Sequence, residues 1–258
     1  MAGNRFILSL GFVTVLLLAG CQSMPQTPQV SLAGGYQAYA NHDYAAAHHT
    51  AVAFLQAYPQ SVNVDEAFYL AALAQEAQGH IAEAKTDYLA AIAHSQRPQL
   101  ICKSSAALGD ISYVQGHFQR AIKYYQRAMR TDPAVGLPAS GLMRLGISQQ
   151  NVGDWTSADT TFSALEQLAP GTTAATIAAQ RYGQTHFAVQ YGAYTLSSAA
   201  WNELRALHLA GVSAQVVPSV VNGRTLYLVQ SGFYSTFSLA MTARNTAAIH
   251  APQAIVVP

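Results

Sequence analysis

Four turn signals, His42, Gly79, Gly116 and Gly153, recur every 37 residues, and this period constrains the fold more than any other feature of the chain. Two residues beyond each signal stands a large side chain: Tyr44, Ile81, Phe118 and Trp155. Three further on come Ala47, Ala84, Ala121 and Ala158. The register then runs on through Ala51, Tyr88, Tyr125 and Phe162, through Phe54, Ala91, Ala128 and Leu165, and through Pro59, Gln96, Pro133 and Pro170. Self-similarity at a fixed period of this size marks an architecture of stacked repeats. The residue types indicate the unit. A glycine closes one helix in a left-handed turn, and a bulky residue just beyond it fills the gap between helices. An alanine lets two backbones approach, and a proline stops the second helix. Residues 32–170 should therefore form four antiparallel helix pairs, a solenoid with a concave groove.

Beyond Pro170 the pattern changes. Residues 171–184 read as a solvated capping helix or linker, and from Thr185 apolar residues alternate rather than recur at helical spacing. A second echo appears there: Val189-Gln190-Tyr191-Gly192-Ala193-Tyr194 returns as Val229-Gln230-Ser231-Gly232-Phe233-Tyr234. Each copy precedes a helical stretch, residues 197–209 and 236–249, opened by Ser or Thr suited to N-capping. Between the copies, residues 214–221 and 225–231 read as strands joined by a two-residue Asn222-Gly223 turn, and residues 254–257 supply a last strand. The order is βαββαβ, which gives a small α+β domain over residues 185–258 with an antiparallel sheet and both helices on one face. If Phe187, Val189, Tyr227 and Val229 face those helices, Ala188, Gln190, Leu226, Leu228 and Gln230 face outward.

The N-terminus has the layout of a secretory signal: Arg5, an apolar run from Phe6 to Leu18, then small residues and a cysteine. The run is short for a membrane-spanning helix and lacks a positively charged flank. Residues 22–31, with Pro25 and Pro28 and no apolar period, read as a flexible tether. Basic residues number 13 and acidic residues 12, so the electrostatic surplus that nucleic-acid binding relies on is missing. With Cys21 at the cleavage position, Cys102 has no disulfide partner, and nothing near it in sequence would activate a thiol. A buried, inert side chain is its expected role.

Three resemblances rest on these residues. Leu18-Ala19-Gly20-Cys21 resembles the lipobox of bacterial lipoproteins. That implies cleavage of residues 1–20, diacylglycerol on Cys21 and a stable membrane anchor. Gln22, rather than Asp, after the cysteine implies the periplasmic face of the outer membrane. Leu108-Gly109 through Gly116, Phe118, Ala121, Tyr125, Ala128 and Pro133, and again Leu145-Gly146 through Pro170, resemble the tetratricopeptide repeat, here lengthened from the usual period. In that family the first helix of each pair lines the groove, which implies a protein-binding surface at Tyr36, Tyr39, Tyr69, Leu73, Tyr113, Met143 and Ile147. For each tyrosine the sequence leaves two roles open, ligand contact or packing on the next repeat. Residues 185–258, through Val189-Gln190 with Gly192-Ala193-Tyr194 and the second strand ending in Gly232-Phe233, resemble the SPOR (sporulation-related repeat) family. That resemblance implies binding of peptidoglycan glycan strands stripped of stem peptides, through Gln190, Ala193, Leu226, Leu228 and Gln230. Leu228 stands where an arginine is common, which implies weaker binding or a different glycan.

No phosphate-cradling loop, zinc-protease helix, nucleophile elbow or paired-cysteine metal site occurs. His48 and His49, adjacent on a helix, point about 100° apart and read as a solvated edge. Asp65, Glu66 and Asp87 fall on repeat helices without an evident partner. The expectation is a non-catalytic envelope lipoprotein, without cofactor, metal or nucleic acid. It would hold an unidentified protein in its repeats and glycan on its sheet, in cell division or wall organisation. The competing expectation is an envelope assembly or secretion scaffold acting through the repeats alone.

Overall fold

The structure is a computed structural model that describes residues 31–133, 136–221 and 223–258. The signal segment, Cys21, nearly all of the tether and Asn222 of the expected hairpin turn lie outside the described residues. The repeat register dictates four helix pairs: α1 (Leu32–Ala40) with α2 (Tyr44–Ala57), α3 (Val64–Ala77) with α4 (Ile81–His94), α5 (Pro98–Val114) with α6 (Phe118–Thr131), and α7 (Ala139–Asn151) with α8 (Trp155–Leu168). Each turn passes through left-handed backbone, at Gly79, Gly116 and Gly153 with φ of 81°, 72° and 87°. His42 makes the same turn at 62°, a conformation its Cβ disfavours. Its ring nitrogen meets the Tyr44 hydroxyl at 2.7 Å.

The repeated alanines and rings form the core. Ala47, Ala84, Ala121 and Ala158 are fully buried, as are Tyr88, Tyr125 and Phe162. The Tyr125 ring lies so close to α5 that a Cβ added to Gly109 would stand 2.6 Å from it, and Phe162 crowds Gly146 in the same way. Ala72, at the same register, shares a core cluster with Tyr88. The pairing of a bare backbone with a ring therefore sets the helix spacing in the third and fourth repeats. Cys102 is buried in the same core as Tyr125 and Leu142, and burial raises its thiol pKa, as an inert side chain requires.

Of the two readings of the segment after Pro170, capping helix or linker, the structure has the helix, exposed along much of its length and packed through two alanines. Helix α9 (Thr173–Arg181) buries Ala175 and Ala178 against the last pair. The Gln150 amide donates to the Arg181 carbonyl at 2.9 Å, and the Arg181 guanidinium donates back to the Gln150 side-chain oxygen at 2.9 Å.

The C-terminal sheet comprises β1 (Phe187–Tyr194), β2 (Gln215–Val221), β3 (Arg224–Tyr234) and β4 (Ile255–Val257), in the antiparallel order β2-β3-β1-β4. Helices α10 (Ser197–Leu209) and α11 (Phe237–Ala247) cover one face, where Ala200, Leu204, Leu207 and Ala247 meet Val189, Tyr191 and Val229. Thr236 caps α11 by accepting from Leu239 N at 3.3 Å. Ser197 does not cap α10, contrary to expectation: the cap position belongs to Leu196, which makes no side-chain cap bond. Strand β3 also runs three residues past Ser231, because Gly232, at φ 85°, lets the strand bulge and continue.

The sheet is mounted on the repeats by aromatic side chains. The Phe187 ring lies 4.9 Å from Trp155 and 5.7 Å from Phe237, and Phe237 lies 6.2 Å from Phe118. Trp155 Nε1 donates to the Ser235 carbonyl at 3.1 Å. Two residues that follow repeat turns, Phe118 and Trp155, thus hold the C-terminal portion. Ser31–Pro258 is one compact unit whose cores draw on its own residues.

Candidate functional site

Two surfaces carry the expected binding residues. The first is the sheet face away from α10 and α11. Residues directly opposite in an antiparallel pair share a face. Pairing of Gln190 with Gln230, Gln230 with Gln215, and Gln190 with Ile255 sets one row across all four strands. The next row holds Ala193, Leu228 and Val217, and the one after it Leu226 and Ser219. Within the first row the Gln230 amide donates to the Gln190 side-chain oxygen at 3.2 Å. The other half of each amide is left for a ligand. Apolar groups border the amides: Ile255 is 53% exposed, and Leu226 and Leu228 are half-buried by their neighbours. These rows carry no ionisable side chain; Arg224 stands at the hairpin end, paired with Val221.

The placement of Ala193 depends on a feature that alternation alone cannot give. Strict alternation puts Gln190 and Ala193 on opposite faces. Between Gln190 and Gly192 the register shifts, so that β1 advances two residues while β3 advances one, from Gln230 to Val229. Tyr191 points inward, as alternation from Val189 requires, and its hydroxyl meets Ser231 Oγ at 2.7 Å in a buried pair; the extra residue sets Gly192 opposite inward Val229. Ala193 is thereby returned to the outer face, exposed. The repeated Gly-x-Tyr has a related cause. A Cβ on Gly192 would stand 2.7 Å from the Tyr194 ring, and Tyr234 crowds Gly232 likewise, so each tyrosine folds back over its own glycine. Gln215, Val217, Ser219 and Ile255 were missed as members of this face. The same alternation, applied to β2 and β4, would have found them.

The second surface is the groove. Tyr36 and Tyr69 line a cavity of about 830 Å³ together with Glu66, Arg97, Leu100 and Lys103. Arg97 is fixed there: its Nε donates to Asp65 Oδ2 at 3.1 Å and its Nη1 to Glu66 Oε2 at 3.0 Å. Asp65 and Glu66 therefore do have a partner, contrary to the sequence reading, supplied by the loop where Gln96 replaces the repeat's proline. Burial is the largest influence on the Asp65 carboxyl and pushes its pKa up. Hydrogen bonds from Arg97, Ser95 and the Glu66 backbone outweigh it and hold the group below the ordinary aspartate value. Burial, reinforced by Tyr39 and Glu76, pushes Tyr69 up to about 12, so it stays a neutral donor. Burial and the neighbouring Glu66 raise Tyr36 as well.

The remaining groove residues are less open. Tyr39 lies 5.4 Å from the Tyr44 ring. Leu73 packs on the Tyr88 core, and Met143 on the Phe162 core. Tyr113 sits under the Arg144 guanidinium, 5.8 Å from it, while Arg144 bridges to Asp110 at 2.8 Å. Ile147, 8% exposed, belongs to the hydrophobic core, where α9 packs against α7. His48 is held by the Gln75 amide at 3.0 Å. Among the described residues, no group of three or more His, Cys, Asp or Glu side chains gathers to hold a metal ion, and no helix is long and apolar enough to cross a membrane.

Family models match three stretches of the chain. The YfiO outer membrane lipoprotein model matches residues 22–104, a tetratricopeptide repeat model residues 103–135, and the SPOR domain model residues 163–258. No curated protein matches the chain. Among solved structures, a tetratricopeptide repeat protein from Parabacteroides merdae superposes with a TM-score of 0.49 at 14% identity, over 58% of this chain and 56% of its own. The chain thus spans little more than half the length of that relative. The structure titled MamA AMB-1 gives 0.46 at 15% identity, over 58% of this chain and 79% of its own. A thermophilic repeat protein from Thermus thermophilus gives 0.40 at 21%, over 70% and 90%. The chain is a tetratricopeptide-repeat protein with a C-terminal SPOR domain, and its lipoprotein nature fits the first family. A SPOR domain implies peptidoglycan binding and the repeats imply protein–protein contact in an envelope lipoprotein. The matched families are binding and scaffold domains.

Proposed function

For a tetratricopeptide-repeat lipoprotein ending in a SPOR domain, we propose that the helix-free sheet face binds peptidoglycan glycan strands while the repeat groove holds an envelope protein. The observation that carries this reading is the face itself. A row of paired amides, Gln190 and Gln230, lies between apolar Leu228, Ala193 and Ile255, with no charge within the rows. Neutral sugars are recognised by such a surface, through amide hydrogen bonds to hydroxyls and apolar contact with the C–H faces of the rings. A strand stripped of its stem peptides can lie flat on the sheet, which fits the preference that the SPOR resemblance implies. Peptide-free strands would direct the protein to sites of wall remodelling, including division. The lipid on Cys21 would fix the other end at the periplasmic face of the outer membrane. In the groove, Tyr36 and Tyr69 with Arg97 form the contact surface for the protein partner.

The test is co-sedimentation of residues 31–258 with sacculi treated with amidase to remove stem peptides. This range keeps Trp155 and Phe118 against Phe187 and Phe237, which the SPOR portion alone would lose. Pelleting with treated sacculi, and less with untreated ones, is the expected result. Failure to pellet with either would end the glycan reading and leave the repeats as the working part of an assembly or secretion scaffold.

A further inference from the structure

Helix α6 carries Arg120, Lys123, Arg127 and Arg130, four of the 13 basic residues of the chain, and no Asp or Glu. Spacings of three, four and three residues place all four on one side of the helix. All are exposed, and the ion pairs among the described residues engage Arg97 and Arg144 instead. In a chain of near-zero net charge this is a concentrated cationic stripe. At its N-terminal end the stripe runs into a cavity of about 960 Å³ between the third repeat turn and α11. Arg120, Lys123 and His117 stand at the cavity with apolar Phe118, Phe237 and Met241.

We propose that this junction is a second binding site, separate from the groove and the sheet face, for an acidic protein segment carrying one large apolar side chain. The side chain enters the cavity and rests against Phe118, Phe237 and Met241, and carboxylates follow the stripe. The dimensions agree: from Arg120 to Arg130 the helix rises about 15 Å, which about five extended residues span. A flat anionic membrane would also attract the cations, but it would leave the apolar concavity at the end of the stripe empty. The site adjoins the aromatic contacts that mount the SPOR domain, so its occupant touches repeats and SPOR domain together. The proposal does not depend on glycan binding by the sheet.

The probe is the peptide acetyl-Phe-Ser-Glu-Asp-Glu-Asp-Glu with fluorescein at its C-terminus, titrated by anisotropy against residues 31–258. Saturable binding is expected. Arg120→Glu with Lys123→Glu should weaken it by at least about tenfold and Arg127→Glu with Arg130→Glu by about threefold, since charge reversal turns attraction into repulsion. A peptide with Gln and Asn for Glu and Asp, and one with Ser for Phe, should each bind at least about fivefold more weakly. All four substituted residues are exposed, and an unchanged melting curve confirms folding. No saturable binding by the unaltered chain overturns the proposal, as does equal binding of the uncharged peptide. Flotation of the same chain with phosphatidylglycerol–phosphatidylethanolamine vesicles, undiminished by excess peptide, assigns the stripe to lipid and equally overturns it.

Discussion

The repeat array and the SPOR domain make opposite use of their side chains. In the repeats, residues on the first helices that face the groove are drawn into the structure. Ile147 is buried beside α9, Tyr113 is covered by Arg144, and only Tyr36 and Tyr69 of the seven expected residues line the cavity. In the SPOR domain the core residues Val189, Tyr191 and Val229 fall on one face; of the residues expected on the other, Ala188 is buried, while Gln190, Leu226, Leu228 and Gln230 keep part of their surface open. A two-sided sheet separates folding from binding by parity, whereas a helix in a solenoid must do both along one cylinder. Substitutions should therefore be costly in the array and nearly silent in stability on the outer sheet face.

The largest expected effect is at Gly146. A valine there drives its side chain into the Phe162 ring, which is fully buried and has nowhere to go, and should cost about 3 kcal/mol in urea unfolding. A cost under about 1 kcal/mol would show that the helices can separate and that the ring does not set their spacing. Next comes Asp65→Asn, which weakens the Arg97 bridge in the groove. Because Arg97 is 44% exposed, the expected loss is about 1 kcal/mol at neutral pH, well short of a fully buried pair. The pH dependence has a definite sign. With its folded pKa held below 3.8, Asp65 contributes its stability above that value and loses it as pH falls through the lowered one. Below that range the unaltered chain and the variant should converge, and a gap that persists in acid would mean that the carboxylate charge is not what matters. His42→Gly is expected to raise stability by about 0.5 kcal/mol: it relieves the left-handed strain, less the lost contact with Tyr44.

The smallest stability effect belongs to the other side of the comparison. Gln190→Ala with Gln230→Ala removes one half-exposed hydrogen bond and should move unfolding by less than about 0.5 kcal/mol, while abolishing pelleting with amidase-treated sacculi. Retained pelleting would mean that glycan binds elsewhere.

The same contrast explains how much of the molecule is legible in its sequence. The helix pairs were legible because the period repeats one packing solution four times, so that His42 and three glycines announce the turns together. The βαββαβ order was legible from alternation and from the echo of Val-Gln with Gly-x-Tyr. What stayed hidden is non-periodic. The bulge that returns Ala193 to the outer face leaves no mark in the apolar pattern, and Arg97 reaches Asp65 from a loop where the register lapses. Phe118 and Trp155 looked like ordinary repeat residues, and their use as the mount for the SPOR domain depends on a contact between distant parts of the chain.

The central claim is that glycan lies on the outer sheet face. Its most direct test is the mapping of amide chemical shifts in ¹⁵N-labelled residues 31–258, titrated with a peptide-free glycan oligosaccharide. The account predicts saturable shifts confined to Gln190, Ala193, Leu228, Gln230 and neighbouring positions on β2 and β4, with α10, α11 and the groove unmoved. Shifts centred on the helices or on Tyr36 and Tyr69, with the sheet face silent, would contradict it.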